Sequence, residues 1–448
     1  MTNPLNTGAA IDEALKPRVA ALEEWQMSTH FAALSGRVKK RPMVLFFGRD
    51  TFADNSKYLY LQALAAPRGY EVLWCAFDKD LVAQLQAAGL PVHTLCHDIN
   101  ATLDLLLHAA VAVFCVNPNE SLRGSVALNA CLDGAAKLQL WHGVSVKHLL
   151  LMLIPHLGMR EAGLRLPFEL ASRADHVLST AACFDAYWRR AFGCRTLVRA
   201  GFPRNEMMLR EPRYEEMIGA EIPDAMAQRL ASGGKNVLVV PTWQRGRPTW
   251  LTEEDCLRRL AALGRKEHIN FFVKMHPAYF LQMGANTREA AGLHLLHPGV
   301  DVYPWLRFFD ALVTDYSSIM FDFLHTGAPV LSLDLQRGDH QDFEPDWSLV
   351  PDVEFRHRFT PGDFERQLQR ALHDDALQDR RAEMRGRIFE SDPLAAGASL
   401  LHLVDRLVDR SQQDDFTVDF CGAAPVSRAA PMETLIRRIE ADSLTHAG

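Results

Sequence analysis

The chain has 448 residues, of which 48% are hydrophobic, 23% charged and 9% aromatic. These proportions are ordinary for a globular protein, so they exclude a disordered chain, a collagen-like repeat and a disulfide-stapled miniprotein. The net charge of −7 disfavours a globally basic nucleic-acid binder, although a local basic patch can still bind phosphate. The length predicts two or three domains, each with its own core.

The cysteines and the N-terminus predict a cytoplasmic protein. The eight cysteines contain no C-x-x-C pair, so we expect reduced thiols. The first residues lack the basic and apolar segments of a secretory signal, and no apolar run reaches the length of a membrane span. The apolar stretch from Leu149 to Ile154 is interpreted as a buried helix edge. Peripheral contact with the inner face of the cell membrane through this stretch is the open alternative.

In chain order, the first predicted elements are one or two amphipathic helices between Ile11 and Leu34. Short apolar runs then alternate with helical stretches from Tyr58 to Ala65 and from Asp80 to Ala88. The runs are MVLFF, EVLWCAF, VAVFCV, KLQLWH, SRADHVLST and TLVRAGFP. This alternation predicts a parallel sheet with helices on both faces.

A second sheet domain is predicted after a charged, loop-like junction between Met208 and Lys235. Its apolar runs are NVLVVPTW, INFFVKMHP, GLHLLHP, FDALVTDYSS and APVLSLD, and helices follow from Pro361 to Asp409. The fold class is therefore α/β, with a cleft between two sheets. Ligands of such sheets bind beyond the carboxyl ends of the strands, so polar residues that follow strands are the candidates for a site.

Several familiar motifs are absent. No G-x-G-x-x-G follows the first strand, and Lys235 of the pair Gly-Lys is followed by Asn236 rather than by Ser or Thr, which disfavours a dinucleotide-binding or P-loop enzyme. His93, Cys96 and His97 do not have the spacing of a tetrahedral zinc site. We therefore predict no metal site and no cofactor.

The sequence WHGVSVK directly follows the strand KLQL and contains His142, Gly143 and Lys147. A histidine at the carboxyl end of a strand is exposed in the cleft, where an imidazole can take a proton from a hydroxyl group. A capping or core-edge histidine is an equally good interpretation of this segment taken alone.

Two strand ends of the second domain suit a diphosphate. Alternation along FVKMHP places Lys274 and His276 on the same side of the chain. The segment TDYSS leads into the helical stretch IMFDFLHTG, where hydroxyl and N–H groups converge. Its candidate residues are Asp315, Ser317 and Ser318, with Asp322 on the helix as a candidate for contact with ribose hydroxyls. A solvated strand end and simple helix capping are the alternatives.

Two further turns contribute polar candidates. The sequence PTWQRG follows the strand NVLVV and offers Thr242 and Arg245, and GFPRN at the domain junction offers Arg204 and Asn205. Arginine can bind phosphate with two parallel hydrogen bonds. Each segment is also compatible with an ordinary turn, but five polar strand ends in two domains all suit one phosphate-rich ligand.

The segments WHGVSVK, GFPRNE, PTWQRG, KMHP and TDYSSIMFDF, in this order, resemble the CDP-glycerol glycerophosphotransferase family, as does NSKYLYL upstream. That family includes teichoic acid primases and polymerases and related capsule polymerases. The resemblance implies a glycosyltransferase-B fold with two facing Rossmann-like domains. It also implies a donor site in the C-terminal domain, an acceptor site in the N-terminal domain, and a C-terminal helix after Pro393 that crosses back over the first domain.

The pattern along the chain and the resemblance together predict the domain limits. These are residues 1–40 for a helical extension, 41–207 for the acceptor domain, 208–395 for the nucleotide-donor domain and 396–448 for C-terminal helices and a tail.

The resemblance implies roles for the candidate residues. His142 corresponds to the family's proposed general base, and His276 is the second candidate catalytic residue. Lys274, Asp315, Ser317 and Ser318 fall with His276 at the donor diphosphate and nucleotide positions. Gln244 departs from the family, which usually has arginine at this point, whereas here Arg245 comes one residue later.

The implied reaction transfers a polyol phosphate, with glycerol phosphate as the first choice, from a CDP-activated donor to a hydroxyl of a polymer or lipid-linked glycan, and releases CMP. Because no Asp/Glu cage for a metal is evident, we predict turnover without metal. One alternative is a sugar-nucleotide glycosyltransferase of the same fold. The other is a noncatalytic scaffold of a polymer-assembly complex. No nucleic-acid partner is expected, and the sequence does not indicate an oligomeric state.

Overall fold

The computed structural model describes residues 23–156, 169, 172–194, 196–242, 249–276, 293–335 and 345–413. Two parallel sheets form the framework, as the alternating pattern predicts. The strands of the first are β1 (Met43–Phe47), β2 (Glu71–Ala76), β3 (Val92–Thr94), β4 (Val111–Phe114), β5 (Ala136–Gln139), β6 (His176–Ser179) and β7 (Thr196–Arg199). Those of the second are β8 (Lys235–Val240), β9 (Ile269–Lys274), β10 (Leu293–Leu296), β11 (Ala311–Thr314), β12 (Val330–Leu333) and β13 (His357–Phe359).

Both sheets have the strand order of a doubly wound fold. The first runs β3-β2-β1-β4-β5-β6-β7, and the second runs β10-β9-β8-β11-β12-β13. All five residues of β1 are buried, because helices cover both faces of the sheet. The strand order reverses between β1 and β4 and between β8 and β11. These two points are where ligands bind in open α/β sheets.

Helices flank both sheets. They are α1 (described over 23–35), α2 (Asp54–Leu64), α3 (Lys79–Ala87), α4 (Ile99–His108), α5 (Pro118–Ser121), α6 (Val126–Ala130), α7 (Leu153–His156), α8 (Asp185–Phe192), α9 (Asp224–Ala231), α10 (Glu254–Glu267), α11 (Ile319–Asp322), α12 (Phe364–His373), α13 (Gln378–Ile388) and α14 (Ala396–Gln412). Asp78 and Asp98 cap the N-termini of helices α3 and α4. Their carboxylates accept hydrogen bonds from backbone N–H groups of the first turn.

The last described helix returns to the first domain, as the resemblance implies. Helix α14 packs against α2 and β4 through its buried leucine and valine side chains. Asp405 on α14 accepts hydrogen bonds from Arg68 Nη1 at 2.7 Å and from the Tyr70 hydroxyl at 2.7 Å. The crossing helix therefore ties the end of the second domain to the outer part of the first.

A buried ion pair joins the two domains beside the cleft. The Nζ of Lys57 on α2 lies 2.8 Å from Oδ2 of Asp301, which follows β10, and the two side chains are 0% and 1% exposed. Lys57 also donates to the carbonyl oxygen of Glu216, and the Tyr58 hydroxyl donates to Asp301 Oδ2 at 2.6 Å. These hydrogen bonds compensate for the removal of both charges from water.

Some details differ from the sequence-based expectations. The short strands β3 and β13 were not predicted, and the stretch IMFDFLHTG forms only the four-residue helix α11 followed by a tighter 3-10 turn. In the apolar stretch from Leu149 to Ile154, Leu150, Met152 and Leu153 are buried in the core. That burial agrees with the buried-helix-edge interpretation.

No helix in the described part of the chain is long and apolar enough to cross a lipid bilayer. The limits predicted for the domains stay a prediction. The last strand of the first sheet ends at Arg199, and the second sheet begins at Lys235.

Candidate active site

The carboxyl edges of the two sheets meet at a cleft. A Cβ added to Gly143, which follows β5, would lie 2.9 Å from Cβ of Ser318, which follows β11. At a second point of contact, a Cβ added to Gly299 would lie 3.6 Å from the methyl group of Thr51 in the first domain. The predicted segments WHGVSVK and TDYSS are thus brought into direct contact, although they are far apart in the sequence.

Side chains of the first domain fix the shape of the loop that carries His142. The Gln139 amide accepts from the Trp141 backbone N–H at 2.9 Å, and Asn55 Nδ2 donates to the Trp141 carbonyl at 2.8 Å. Trp141 has a φ of 56°, a conformation that costs about 1–2 kcal/mol for a residue with a side chain. Its ring stacks on the His142 imidazole with centroids 4.3 Å apart. The imidazole is therefore held in place.

The tautomer of His142 follows from one hydrogen bond. Its Nδ1 lies 3.1 Å from the carbonyl oxygen of Cys115, which follows β4. A carbonyl oxygen can only accept, so Nδ1 carries the proton and the lone pair of a neutral ring is on Nε2. This arrangement suits a general base that receives a proton at Nε2.

The surroundings of His142 keep the imidazole neutral. Burial lowers the pKa of His142 well below its ordinary value, and the charges of Arg49, Arg204 and Lys147 lower it further. The Cys115 carbonyl acts in the opposite direction. A base that remains unprotonated at neutral pH is ready to accept a proton without first losing one.

This lowered pKa predicts the pH dependence of turnover. A base must be deprotonated to act, so kcat/KM falls as pH drops through the pKa of His142 in the free enzyme. Because that pKa is lowered, we expect the acidic inflection below about pH 6.5, the ordinary value for histidine. Initial rates of nucleotide release across a pH series measure it. An inflection above pH 7 would contradict this assignment of the base.

Arg204 and Asp322 pair with each other behind the surface of the cleft. Arg204 Nη2 lies 2.6 Å from Asp322 Oδ2, and the side chains are 3% and 0% exposed. The guanidinium also donates to the His142 carbonyl and to Asp54, and Tyr303 donates to the same Asp322 oxygen. The pair therefore joins the two domains beneath the His142 loop. The contacts with substrate that we expect for both residues stay predictions.

Asn205 lies beside Arg204 in the 3-10 turn Pro203–Met208 and is completely buried. Within the described residues, neither side-chain atom of Asn205 has a hydrogen-bond partner. The structure places it in the wall of the junction, and its predicted contact with substrate also stays a prediction.

Asp315 and Thr242 close the point where the strand order of the second sheet reverses. The buried Asp315 carboxylate accepts from the Thr242 N–H at 3.0 Å and from the Thr242 hydroxyl. Burial raises the pKa of Asp315, and these hydrogen bonds oppose the rise. Ser317 and Ser318 follow at the mouth of the cleft and remain partly exposed. Asp315 thus holds the ends of β8 and β11 together and positions the two serines.

Lys274 and His276 lie at the end of β9. Lys274 Nζ donates to the Pro298 carbonyl at 2.6 Å, and His276 is exposed. Burial lowers the pKa of both side chains, and the charge of Arg49 lowers both further. Arg49 belongs to the other domain, so these two groups lie near the cleft, as predicted from the strand pattern.

Lys147 crosses the cleft from the His142 loop. Its Nζ lies 4.9 Å from the centroid of the Tyr316 ring, in a cation–π contact with the second domain. Burial lowers the pKa of Lys147, and the nearby Asp315 charge opposes the shift. Lys147 is thus brought together with Tyr316 and Asp315, the residues that precede Ser317 and Ser318.

Gly143 offers a direct test of the contact between the domains. Its φ of 130° is rare for residues with a side chain, and a Cβ would come within 3.0 Å of Ser318 and Arg204. We expect Gly143→Ala to lower kcat at least about tenfold, because the His142 loop must shift, and to cost about 1–3 kcal/mol of stability.

The matched control is Gly89→Ala. Gly89 also has a positive φ of 73°, but nothing lies within 4 Å of an added Cβ. It should lose stability by backbone strain alone and keep its kcat. Equal activity of both variants, measured by initial rates and thermal denaturation, would contradict the proposed close contact.

Arg245 falls outside the described residues. Arg49, Asn55 and Tyr303 were not among the predicted site residues, although the first lies just after a strand and was therefore open to the same reasoning. Over the described ranges, no three His, Cys, Asp or Glu side chains are grouped to hold a metal ion.

Two doubly wound sheets whose carboxyl edges face each other across a polar cleft define the glycosyltransferase-B class of fold. The family described as CDP-glycerol:poly(glycerophosphate) glycerophosphotransferase matches residues 29–347. The chain belongs to this family. The match covers both sheets up to β12 and every candidate residue named above.

The curated relatives are teichoic acid poly(glycerol phosphate) polymerases. The one from Bacillus spizizenii is 28% identical over 226 residues, which is 46% of this chain and 55% of the relative. The one from Bacillus subtilis is 27% identical over 226 residues, which is 46% of this chain and 29% of the relative. The chain thus matches about half the length of the first relative and less of the second.

Solved structures support the fold. The wall teichoic acid polymerase TagF superposes with a TM-score of 0.64 at 16% identity, covering 92% of this chain and 100% of that one. A UDP-N-acetylglucosamine 2-epimerase from Listeria monocytogenes gives a TM-score of 0.53 at 13% identity, covering 81% and 95%. At these identities the likeness shows the fold alone.

Proposed function

We propose that this chain transfers a polyol phosphate, glycerol phosphate as first choice, from a CDP-activated donor to a hydroxyl of a cell-envelope polymer or lipid-linked glycan. The observation that carries the proposal is the contact between the His142 loop and the Ser318 segment. It joins a neutral base from one domain to the hydroxyl groups and cations of the other. Family membership and the similarity to teichoic acid poly(glycerol phosphate) polymerases support the substrate class.

In the proposed reaction, His142 Nε2 accepts the proton of an acceptor hydroxyl. The oxygen forms a bond to the β-phosphorus of the donor while the bond from that phosphorus to the bridging oxygen breaks. CMP leaves with the electron pair of that bond. Little covalent chemistry is asked of the protein in such a transfer, so positioning and charge stabilisation dominate catalysis.

The second domain supplies the charge stabilisation in this proposal. Lys274 uses one N–H group on Pro298, and the ammonium has two others for phosphate oxygens. His276, Ser317 and Ser318 add hydrogen-bond donors at the cleft. Asp315 and the Arg204–Asp322 pair act through the positions of these groups.

A panel of activated donors tests the proposed function. The purified chain is incubated with CDP-glycerol, CDP-ribitol and UDP-sugars, and the released nucleotide is identified. We expect CMP from a CDP-polyol and no UDP from the sugars. Release of UDP would favour the glycosyltransferase alternative. Turnover that a chelator abolishes and magnesium restores would contradict metal-independent transfer.

The proposed location is the cytoplasm, with peripheral contact at the inner face of the cell membrane. A lipid-linked acceptor, typical of the family that the sequence resembles, supports it. The contact must involve a surface other than Leu150, Met152 and Leu153, because these side chains are buried. Full recovery in the soluble fraction without liposome binding would contradict membrane contact.

A further inference from the structure

Arg49 lies where the strand order of the first sheet reverses. It follows Phe47, the last residue of β1, by two positions. The Cys115 thiol donates weakly to the Phe47 carbonyl, and the Cys115 carbonyl is the partner of His142. Cys115 therefore links the end of β1, just before Arg49, to the candidate base. This is the part of a doubly wound sheet where ligands bind.

The guanidinium of Arg49 is held on one side and open on the other. Its Nε–H donates to Glu120 Oε2 at 2.9 Å, and Glu120 itself accepts from Asn117 Nδ2 at 2.8 Å. The Arg49 side chain is 53% exposed, and among the described residues neither of its terminal amino groups has a hydrogen-bond acceptor. Two parallel N–H donors with a fixed orientation match a phosphate group.

The surroundings of Arg49 lie on both sides of the cleft. Its charge contributes to the lowered pKa of His142 in its own domain and of Lys274 and His276 in the other. Thr51 of the same loop packs near Gly299, and Lys274 donates to the preceding residue, Pro298. Cationic groups whose charges influence one another in this way repel, and a phosphate bound between them would offset that repulsion.

We propose that Arg49 contacts the donor diphosphate from the N-terminal domain and completes a two-sided phosphate site with Lys274 and His276. This inference rests on the proposed function. With no ligand bound, the same guanidinium disfavours a second positive charge on His142, which is also faced by Arg204 and Lys147 and bonded to Cys115. Donor binding and the readiness of the base are thus linked through one side chain.

Three variants test the proposal. Arg49→Gln removes the charge. Arg49→Lys keeps the charge but lacks the two parallel N–H donors of a guanidinium, and Arg41→Gln is the matched control. Arg41 precedes β1, at the opposite edge of the sheet, is 54% exposed and also pairs with one carboxylate, that of Asp104. The dissociation constant of CDP is measured by calorimetry, and kcat/KM by CMP release across a pH series.

For Arg49→Gln we expect roughly a tenfold to hundredfold loss in CDP affinity and in kcat/KM, the range for a charged hydrogen bond. Arg49→Lys should recover part of the loss, and Arg41→Gln should equal the wild type. The acidic inflection of kcat/KM should move to higher pH in Arg49→Gln, which a merely structural role would not produce.

The outcomes separate this proposal from the proposed function. CDP affinity and a pH profile in Arg49→Gln equal to those of the wild type would overturn the role of Arg49. Wild-type protein that binds CDP but releases no CMP from any CDP-polyol contradicts the proposed function alone, and the calorimetric comparison still tests Arg49. Wild-type protein that binds no CDP overturns both.

Discussion

Replacing His142 with alanine should lower kcat by about 10²- to 10⁴-fold, the usual contribution of a general base. The imidazole is positioned by the Cys115 carbonyl and by stacking on Trp141, and burial lowers its pKa so that it is neutral at pH 7. Alanine removes the proton acceptor and leaves the loop's backbone hydrogen bonds in place. Single-turnover CMP release gives the rate of the chemical step directly.

The matched control is His108→Ala. His108 lies on α4, where its Nδ1 is 3.1 Å from Asp104, away from the cleft. This variant should retain wild-type kcat, and circular dichroism should show the same fold for both variants. His142→Ala that kept more than about a tenth of wild-type turnover would contradict the role of His142 as base, and would be the result expected of a noncatalytic scaffold.

Replacing Lys57 with methionine should lower the free energy of unfolding by about 3–5 kcal/mol, the cost of leaving one member of a buried ion pair alone. The change leaves the Asp301 carboxylate buried, with the Tyr58 hydroxyl as its remaining side-chain donor, and it removes a contact between the two domains. Urea denaturation followed by tryptophan fluorescence measures the loss.

Lys235→Met is the control for that experiment. Lys235 forms an ion pair of similar length with Asp310, 2.9 Å, but the two side chains are 46% and 31% exposed. Water already screens this pair, so we expect a loss below about 1 kcal/mol. Similar losses in the two variants would contradict the view that burial of the Lys57–Asp301 pair stabilises the domain arrangement.

Much of the fold was predictable because the signal for most strands lies within the residues of the strand itself. Fully buried runs such as MVLFF in β1 and FFV in β9 are continuous apolar segments, which parallel strands covered on both faces require. The three-residue strands β3 and β13 were missed because three residues carry too little pattern. The helix predicted over IMFDFLHTG is longer than α11, because the apolar residues of this stretch continue after the helix ends at Asp322.

The candidate site was only partly predictable. His142 and Ser318 follow strands and Lys274 is the last residue of one, so local sequence was sufficient to propose them. Pairings between distant segments could not be predicted from local sequence. Lys57 and Asp301 are 244 residues apart, and neither segment contains a pattern that indicates the other.

Residue chemistry alone also suggested a single role where the structure offers another. Arg204 and Asp322 are residues that commonly bind phosphate and ribose, yet here their charges are buried against each other. Arg49 was accessible to the reasoning applied to other strand ends, but its segment GRD belongs to none of the motifs that carried the family resemblance.

The defining step of the proposed function is transfer of the phosphate together with its polyol. It is tested most directly with CDP-glycerol that carries a radioactive phosphorus label at the β-position, incubated with the wild-type chain and a glycerol phosphate polymer acceptor. We expect the label to appear in the polymer and unlabelled CMP to be released. Label that remains with the nucleotide, as CDP, would show that the bond to glycerol breaks instead and would contradict transfer of the polyol phosphate.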